Sequence, residues 1–200
     1  MFNTLAAAEI VEKTKAALEA NAFTVLVCAN GAEAKAKALE ILPAGAEVMN
    51  MTSMTLESIG LAQEIMESGK FLSVRKQLMA MDRKTQSLAM EKMRAAPEWA
   101  VGSVHAITHD GNVLIASMSG SQLPGYVAGA AHVLWIVGTH KIVSNIEEGM
   151  RRIKEHALPL ENERAKKAYG VESAINKILI VNADQPGRTT IILVNEVLGF

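Results

Sequence analysis

One cysteine, Cys28, is present in 200 residues. A single thiol excludes an internal disulfide and a cysteine-ligated iron–sulfur cluster. Charge of either sign is not in excess, since the formal net charge is −1, so nothing supports general binding to nucleic acid or to a membrane surface. No apolar run approaches the roughly 20 residues of a membrane span. The first ten residues lack the basic region of a signal peptide. The expected location is therefore cytoplasmic. There is no His-Glu-x-x-His, no Gly-Lys-Ser of a Walker loop, and no Gly-x-Gly-x-x-Gly after a strand. His105 and His109 are four apart, which on a strand separates them by roughly 13 Å. No metal is expected, and no cofactor. No internal repeat, low-complexity tract or linker interrupts the chain.

What is present reads as one α/β domain over residues 1–200. Half the residues are apolar and a fifth are charged, as in globular proteins. Asn3 to Ala20 is an amphipathic helix with Ile10, Val11, Thr14 and Leu18 on its less polar stripe. Phe23 to Cys28 is a short continuous apolar run, the mark of a buried strand. Asn30 and Glu33 form a capping box that opens a helix ending before Pro43. Glu47 to Asn50 is a second strand, so β–α–β spans 23 to 50 and argues for a parallel sheet. Further helices are expected from Ser53 to Ser68 and from Asp82 to Pro97. Val133 to Val137 is another buried strand. Ser144-Asn-Ile-Glu147 caps a helix that Pro159 breaks and that resumes from Glu161 to Tyr169, closed by Gly170. Lys177 to Val181 and Thr189 to Val194 are strands. The eleven methionines are scattered at helical positions and read as core filler.

The stretch from Val101 to Tyr126 carries the candidate chemistry. Asp110-Gly111 predicts a two-residue hairpin turn between strands within Trp99 to Ser117. In that register His109 faces Asn112, Ile107 pairs with Leu114, and His105 with Ala116. Ser103 and His105 then share a face. The loop Ser117 to Gln122 is brought beside Gly102, Ser103 and His105. Ser119, Gly120, Ser121 and Gln122 offer hydroxyls, backbone N–H groups and an amide to an anion. The same Gly and Ser residues also read as a plain turn. His105 reads either as a histidine satisfied within the core or as a ligand contact or proton carrier. Cys28 reads as a buried small hydrophobe. Glu161, Glu163 and Arg164 lie within one helical turn, as a solvated face or as part of a site. Arg188 follows Pro-Gly at a turn. It reads as a surface arginine or as a guanidinium for a carboxylate or phosphate.

Several segments resemble one family. They are Met54-Thr-Leu-Glu-Ser-Ile-Gly60, Met81-Asp-Arg-Lys-Thr-Gln86, Gly102-Ser-Val-His-Ala106, Gly120-Ser-Gln-Leu-Pro124, Pro159-Leu-Glu-Asn-Glu-Arg164, Pro186-Gly-Arg188 and Leu198-Gly-Phe200. In this order they resemble the LUD (lactate utilization) domain, in its stand-alone, LutC-like form. The resemblance implies an open, largely parallel sheet flanked by helices with an antiparallel hairpin. That fold is similar to ribose-5-phosphate isomerase, the CoA transferases and formyl-tetrahydrofolate cyclo-ligase (the NagB/RpiA/CoA transferase-like fold). It implies a part in oxidising lactate to pyruvate beside separate iron–sulfur proteins. It leaves a homo-oligomer open, and whether this chain is itself the enzyme.

Three functions follow as expectations. The first is a subunit or accessory role in lactate oxidation with redox partners. The second is a free-standing enzyme of the CoA-transferase-like superfamily acting on an anionic small molecule, with Glu161 or Glu163 as nucleophile or base. The third is a binding module. For all three the expected site joins Gly102, Ser103 and His105 to Ser119, Gly120, Ser121 and Gln122. Arg188, Glu161, Glu163 and Arg164 close it, and Arg188 binds the anion.

Overall fold

The apolar runs assemble into one parallel sheet. In this computed structural model, which describes residues 2–200, its strands are β1 (Thr24–Cys28), β2 (Glu47–Asn50), β3 (Leu72–Ser73), β4 (Trp99–Gly102), β7 (His132–Gly138) and β10 (Thr189–Val194). Their order across the sheet is β1-β10-β7-β4-β2-β3, and every pairing is parallel. The central strands β7 and β10 carry long apolar runs, Val133 to Val137 and Ile191 to Val194, because both faces are covered there. Val133, Trp135, Val137, Ile191 and Leu193 enter the core on one face with Val11 and Leu18 of α1 (Ala8–Ala20). The alternate residues Leu134, Ile136, Ile192 and Val194 enter a second core on the other face. There they meet Ala34 and Ala38 of α2 (Gly31–Ile41), Leu56 of α3 (Met54–Ser58), and Leu61 and Ile65 of α4 (Leu61–Glu67). The two-residue period of a strand is what deals side chains to the two layers.

A second, mixed sheet packs beside α1. Its order is β8 (Ile142–Val143), β5 (Ala106–Thr108), β6 (Val113–Ser117), β9 (Lys177–Val181). Ile107, Val113 and Ile115 join the core of the parallel sheet. Ala106, Leu114 and Ala116 face outward onto Ile153 and Met150. These last residues belong to α7 (Ile146–Arg152) and a π-helical turn at Ile153–Ala157, which runs into α8 (Leu158–Tyr169).

Five local expectations are corrected. Trp99–Gly102 is a strand of the parallel sheet, not the start of the hairpin. The hairpin is β5–β6 alone, and its register is Ala106↔Leu114 and Ile107↔Val113. The turn holds three residues, His109 to Gly111, with Thr108 N–H donating to Asn112 O at 2.9 Å. Gly111 has φ +83° and supplies the left-handed residue that such a loop needs, so the pairing slips by one. Ser144 is not the helix cap. Asn145 is, and its side chain accepts from Glu148 N–H, while the Glu148 carboxylate reaches back to Ser144. Pro159 does not break the helix. The π turn just ahead of it absorbs the missing N–H and the ring, and the chain continues as α8. The helix expected from Ser53 to Ser68 is two helices, parted at Gly60, which has φ +66°. The remaining helices are α5 (Val74–Ala80), absent from the sequence reading, and α6 (Arg83–Ala95), capped by Asp82.

Candidate active site

The chain leaves β4 of the parallel sheet at Gly102 and enters β5 of the mixed sheet at Ala106. Ser103, Val104 and His105 bridge the two, and a cavity of about 290 Å³ opens there. It lies at the carboxyl ends of β2, β4 and β7, where open parallel sheets place their ligands. Thr52 and Thr55 come from beyond β2, Ser103 and His105 from beyond β4, and Lys141 from a 3-10 turn (Thr139–Lys141) beyond β7. Ser117, Ser119, Ser121 and Gln122 approach from the end of β6. Glu161, Arg164 and Tyr169 of α8 form another wall.

A buried lysine lines this cavity, and a buried arginine stands behind His105. Lys141 is 1% exposed, and its Nζ donates to Thr55 Oγ1 at 3.0 Å and to Ser103 Oγ at 3.2 Å. Arg152, fully buried, donates through Nη1 to His105 O at 2.5 Å, while its Nε and Nη2 have no partner. Among the described residues neither cation is in an ion pair. Burial, with the Arg152 guanidinium next, drives the Lys141 pKa well below that of a free lysine. Burial pulls Arg152 down to about 10, so it stays charged at neutral pH. Burial, then Lys141 and Arg152, holds the His105 imidazole near a pKa of about 3. Burial first, then Lys141 and Arg152, likewise holds His140 at about 3. Buried charges are usually paired. Lys141 and Arg152 are two basic groups buried without an acid beside them among the described residues.

The LUD domain family profile matches residues 11–194, which takes in nearly every residue of the cavity. The chain belongs to the LUD domain family. No curated protein matches it. Among solved structures it is similar to a DUF162 family protein from Deinococcus radiodurans. The two share 11% identity at a TM-score of 0.60, over 96% of this chain and 100% of the other. At that identity the likeness speaks for the fold alone.

In this LUD domain the structure gathers most of the residues singled out from sequence and rejects others. Ser103, His105, Ser119, Ser121, Gln122, Glu161 and Arg164 all line the cavity. Gly102 stands behind it. A Cβ there would lie 1.8 Å from Tyr126 Oη, so glycine is what lets Tyr126 reach the wall. Gly120 turns away, its N–H spent on Ser117 Oγ at 2.8 Å. Ser119 and Ser121 bond to each other, and Gln122 is held by Ser117 and the Ala116 carbonyl. Glu161 is clamped by Arg164 through two bonds of 2.7 Å, one to each carboxylate oxygen. Glu163 is exposed and off the cavity.

Arg188 is the clearest correction. It neither lines the cavity nor faces solvent. Its guanidinium is 10% exposed and bonds to the carbonyls of Gly125, Tyr126 and Ala130 and to Asp184, closing a π-helical turn at Gly125–Gly129 onto β10. Its donors satisfy carbonyls that the wide turn leaves free. The sequence reading missed Lys141, Arg152, Thr55, Tyr126 and Arg75. One signal was available. Thr139-His140-Lys141 directly follows a buried parallel strand, where site residues gather. Arg75 bonds Thr52 Oγ1 at 3.0 Å on the cavity wall.

Proposed function

We propose that this LUD domain protein binds a small carboxylate in the Lys141 cavity and serves lactate utilization, in the oxidation of lactate to pyruvate. The observation that carries the reading is the pair of buried bases, Lys141 and Arg152, with no acid beside them. Each costs stability in the ligand-free protein. A carboxylate arriving on Lys141 Nζ offsets that cost, restores the ammonium and accepts a charge-assisted bond. Hydroxyls of Ser103 and Thr55 hold the amine in place, and serines 119 and 121 supply neutral polar contacts. Lactate and pyruvate are small enough for a cavity of this volume.

Oxidation of lactate removes two electrons and two protons. Serine, threonine, lysine and histidine side chains bind and orient, but they do not accept an electron pair. The electrons must pass to a separate acceptor, and the family resemblance points to iron–sulfur proteins as partners.

A thermal-shift screen of the isolated protein tests this reading with lactate, pyruvate, sugar phosphates, CoA and folates. A ligand at about 100 times its Kd stabilises by roughly 2.7 kcal/mol. Stabilisation by lactate or pyruvate is expected. Stabilisation by CoA, a sugar phosphate or a folate alone would overturn it.

A further inference from the structure

His105 is fixed in one tautomer. The backbone N–H of Ala116 donates to its Nδ1 at 3.2 Å. A backbone N–H can only donate, so Nδ1 presents a lone pair and the ring proton sits on Nε2. The main chain of His105 is held as well. Its N–H donates to Leu114 O at 3.0 Å, and its carbonyl accepts from Arg152. Nε2 makes no bond within the described residues, and it is not one of the sealed-off buried nitrogens. His105 lines the cavity with Ser103 and Lys141. The charged groups that bear on the ring are Lys141, from the 3-10 turn, and Arg152, from α7, and both oppose its protonation.

The acceptors beside Lys141 are partly engaged. Thr55 Oγ1 donates its proton to Leu198 O at 2.9 Å and accepts from Lys141. Ser103 Oγ accepts from Lys141. Nδ1, the one acceptor of the His105 ring, is taken by Ala116. The His105 ring therefore offers this end of the cavity a donor and no acceptor. A C2 carbonyl oxygen is only an acceptor and suits it. A C2 hydroxyl also carries a proton that needs an acceptor, and a buried donor without one is penalised.

We propose that His105 is a donor to the C2 oxygen of the bound acid through Nε2–H, and that it makes the site prefer a 2-oxo acid to the matching 2-hydroxy acid. This rests on the carboxylate reading above. His105 is then not the base that takes the hydroxyl proton when a 2-hydroxy acid is oxidised.

Two measurements on the full chain test it. Long-range ¹H–¹⁵N NMR of the imidazoles reads the tautomer without any ligand. Titration calorimetry with pyruvate and lactate reads the preference in the parent protein, H105Q and H105A. The expected tautomer carries its proton on Nε2. Pyruvate should bind about 2- to 10-fold more tightly than lactate, the range of one neutral hydrogen bond. H105A should still bind both acids and lose the preference. H105Q, which keeps an amide donor, should retain part of it and also decides the matter if H105A fails to fold. A proton on Nδ1, an imidazolium at neutral pH, or equal affinities in the parent protein would overturn the proposal. A preference unchanged in H105A would do the same. If neither acid binds the parent protein, the carboxylate reading falls and takes this one with it. If both bind equally well, only the His105 assignment falls.

Discussion

Replacing Lys141 with methionine should make the ligand-free protein more stable. The side chain is 1% exposed, and no carboxylate pairs with it among the described residues. Methionine keeps most of the volume and the flexible stem while removing the buried amine. Relieving the desolvation of a buried amine that no acid pairs gains about 1–3 kcal/mol. Two bonds are lost, to Thr55 and Ser103, but Thr55 keeps its bond to the Leu198 carbonyl. A net gain of about 1–3 kcal/mol corresponds to a rise of roughly 2–12 °C in Tm for a chain of this length. The gain must also depend on pH. The Lys141 pKa is lowered by folding, so the unfolded chain binds more protons between the folded value and about 10.4. Stability of the parent protein therefore climbs with pH through that window, and K141M lacks this climb. Calorimetric melting at pH 6 and pH 10 should show a large gap in Tm that narrows at the higher pH. A K141M protein that melts below the parent, or a gap that ignores pH, would refute the reasoning and make Lys141 a structural anchor.

Three further substitutions have expected outcomes. Arg188→Ala should cost about 3–5 kcal/mol in urea unfolding, because it strands Asp184 and the carbonyls of Gly125, Tyr126 and Ala130, all part-buried. Unchanged stability would show that this arginine is not the clamp described above. His140, held neutral with a folded pKa of about 3 against 6.5 when free, contributes stability that is present above pH 6.5 and lost as pH falls toward 3. His140→Leu should flatten that acid-side decline in Tm, and a slope equal to the parent's would contradict it. Gly102→Ala should drive a methyl against Tyr126 and destabilise by about 1–3 kcal/mol. It should also weaken ligand binding as the ring is pushed into the cavity, and full affinity would count against that geometry.

The parallel sheet was legible because both of its faces are buried. Runs such as Val133 to Val137 and Ile191 to Val194 then carry no polar break and can be little else. The hairpin was legible in kind but not in register. Asp110-Gly111 marks a turn equally well for a two- or a three-residue loop, and the packing of the tip against Asn21 and α1 selects the longer one. Pro159 misled because a π turn, invisible to a 3.6-residue pattern, accommodates it. The site was half legible. Ser103, His105 and the Ser119 to Gln122 loop declare themselves by polar residues at a strand end. Lys141 and Arg152 do not, because lysine and arginine are almost always at the surface and their spacing carries no sign of burial. Arg188 failed for the converse reason. A Pro-Gly turn reads as exposed, and nothing local shows that three carbonyls of another turn converge on it.

At the centre of the account, the unpaired buried amine of Lys141 seats a carboxylate. Titration calorimetry of pyruvate into the parent protein and into K141M at neutral pH tests it most directly. A charge-assisted hydrogen bond is worth roughly 1.5–3 kcal/mol, so K141M should bind about 10- to 150-fold more weakly while remaining folded. A folded K141M that binds pyruvate as tightly as the parent would contradict the account.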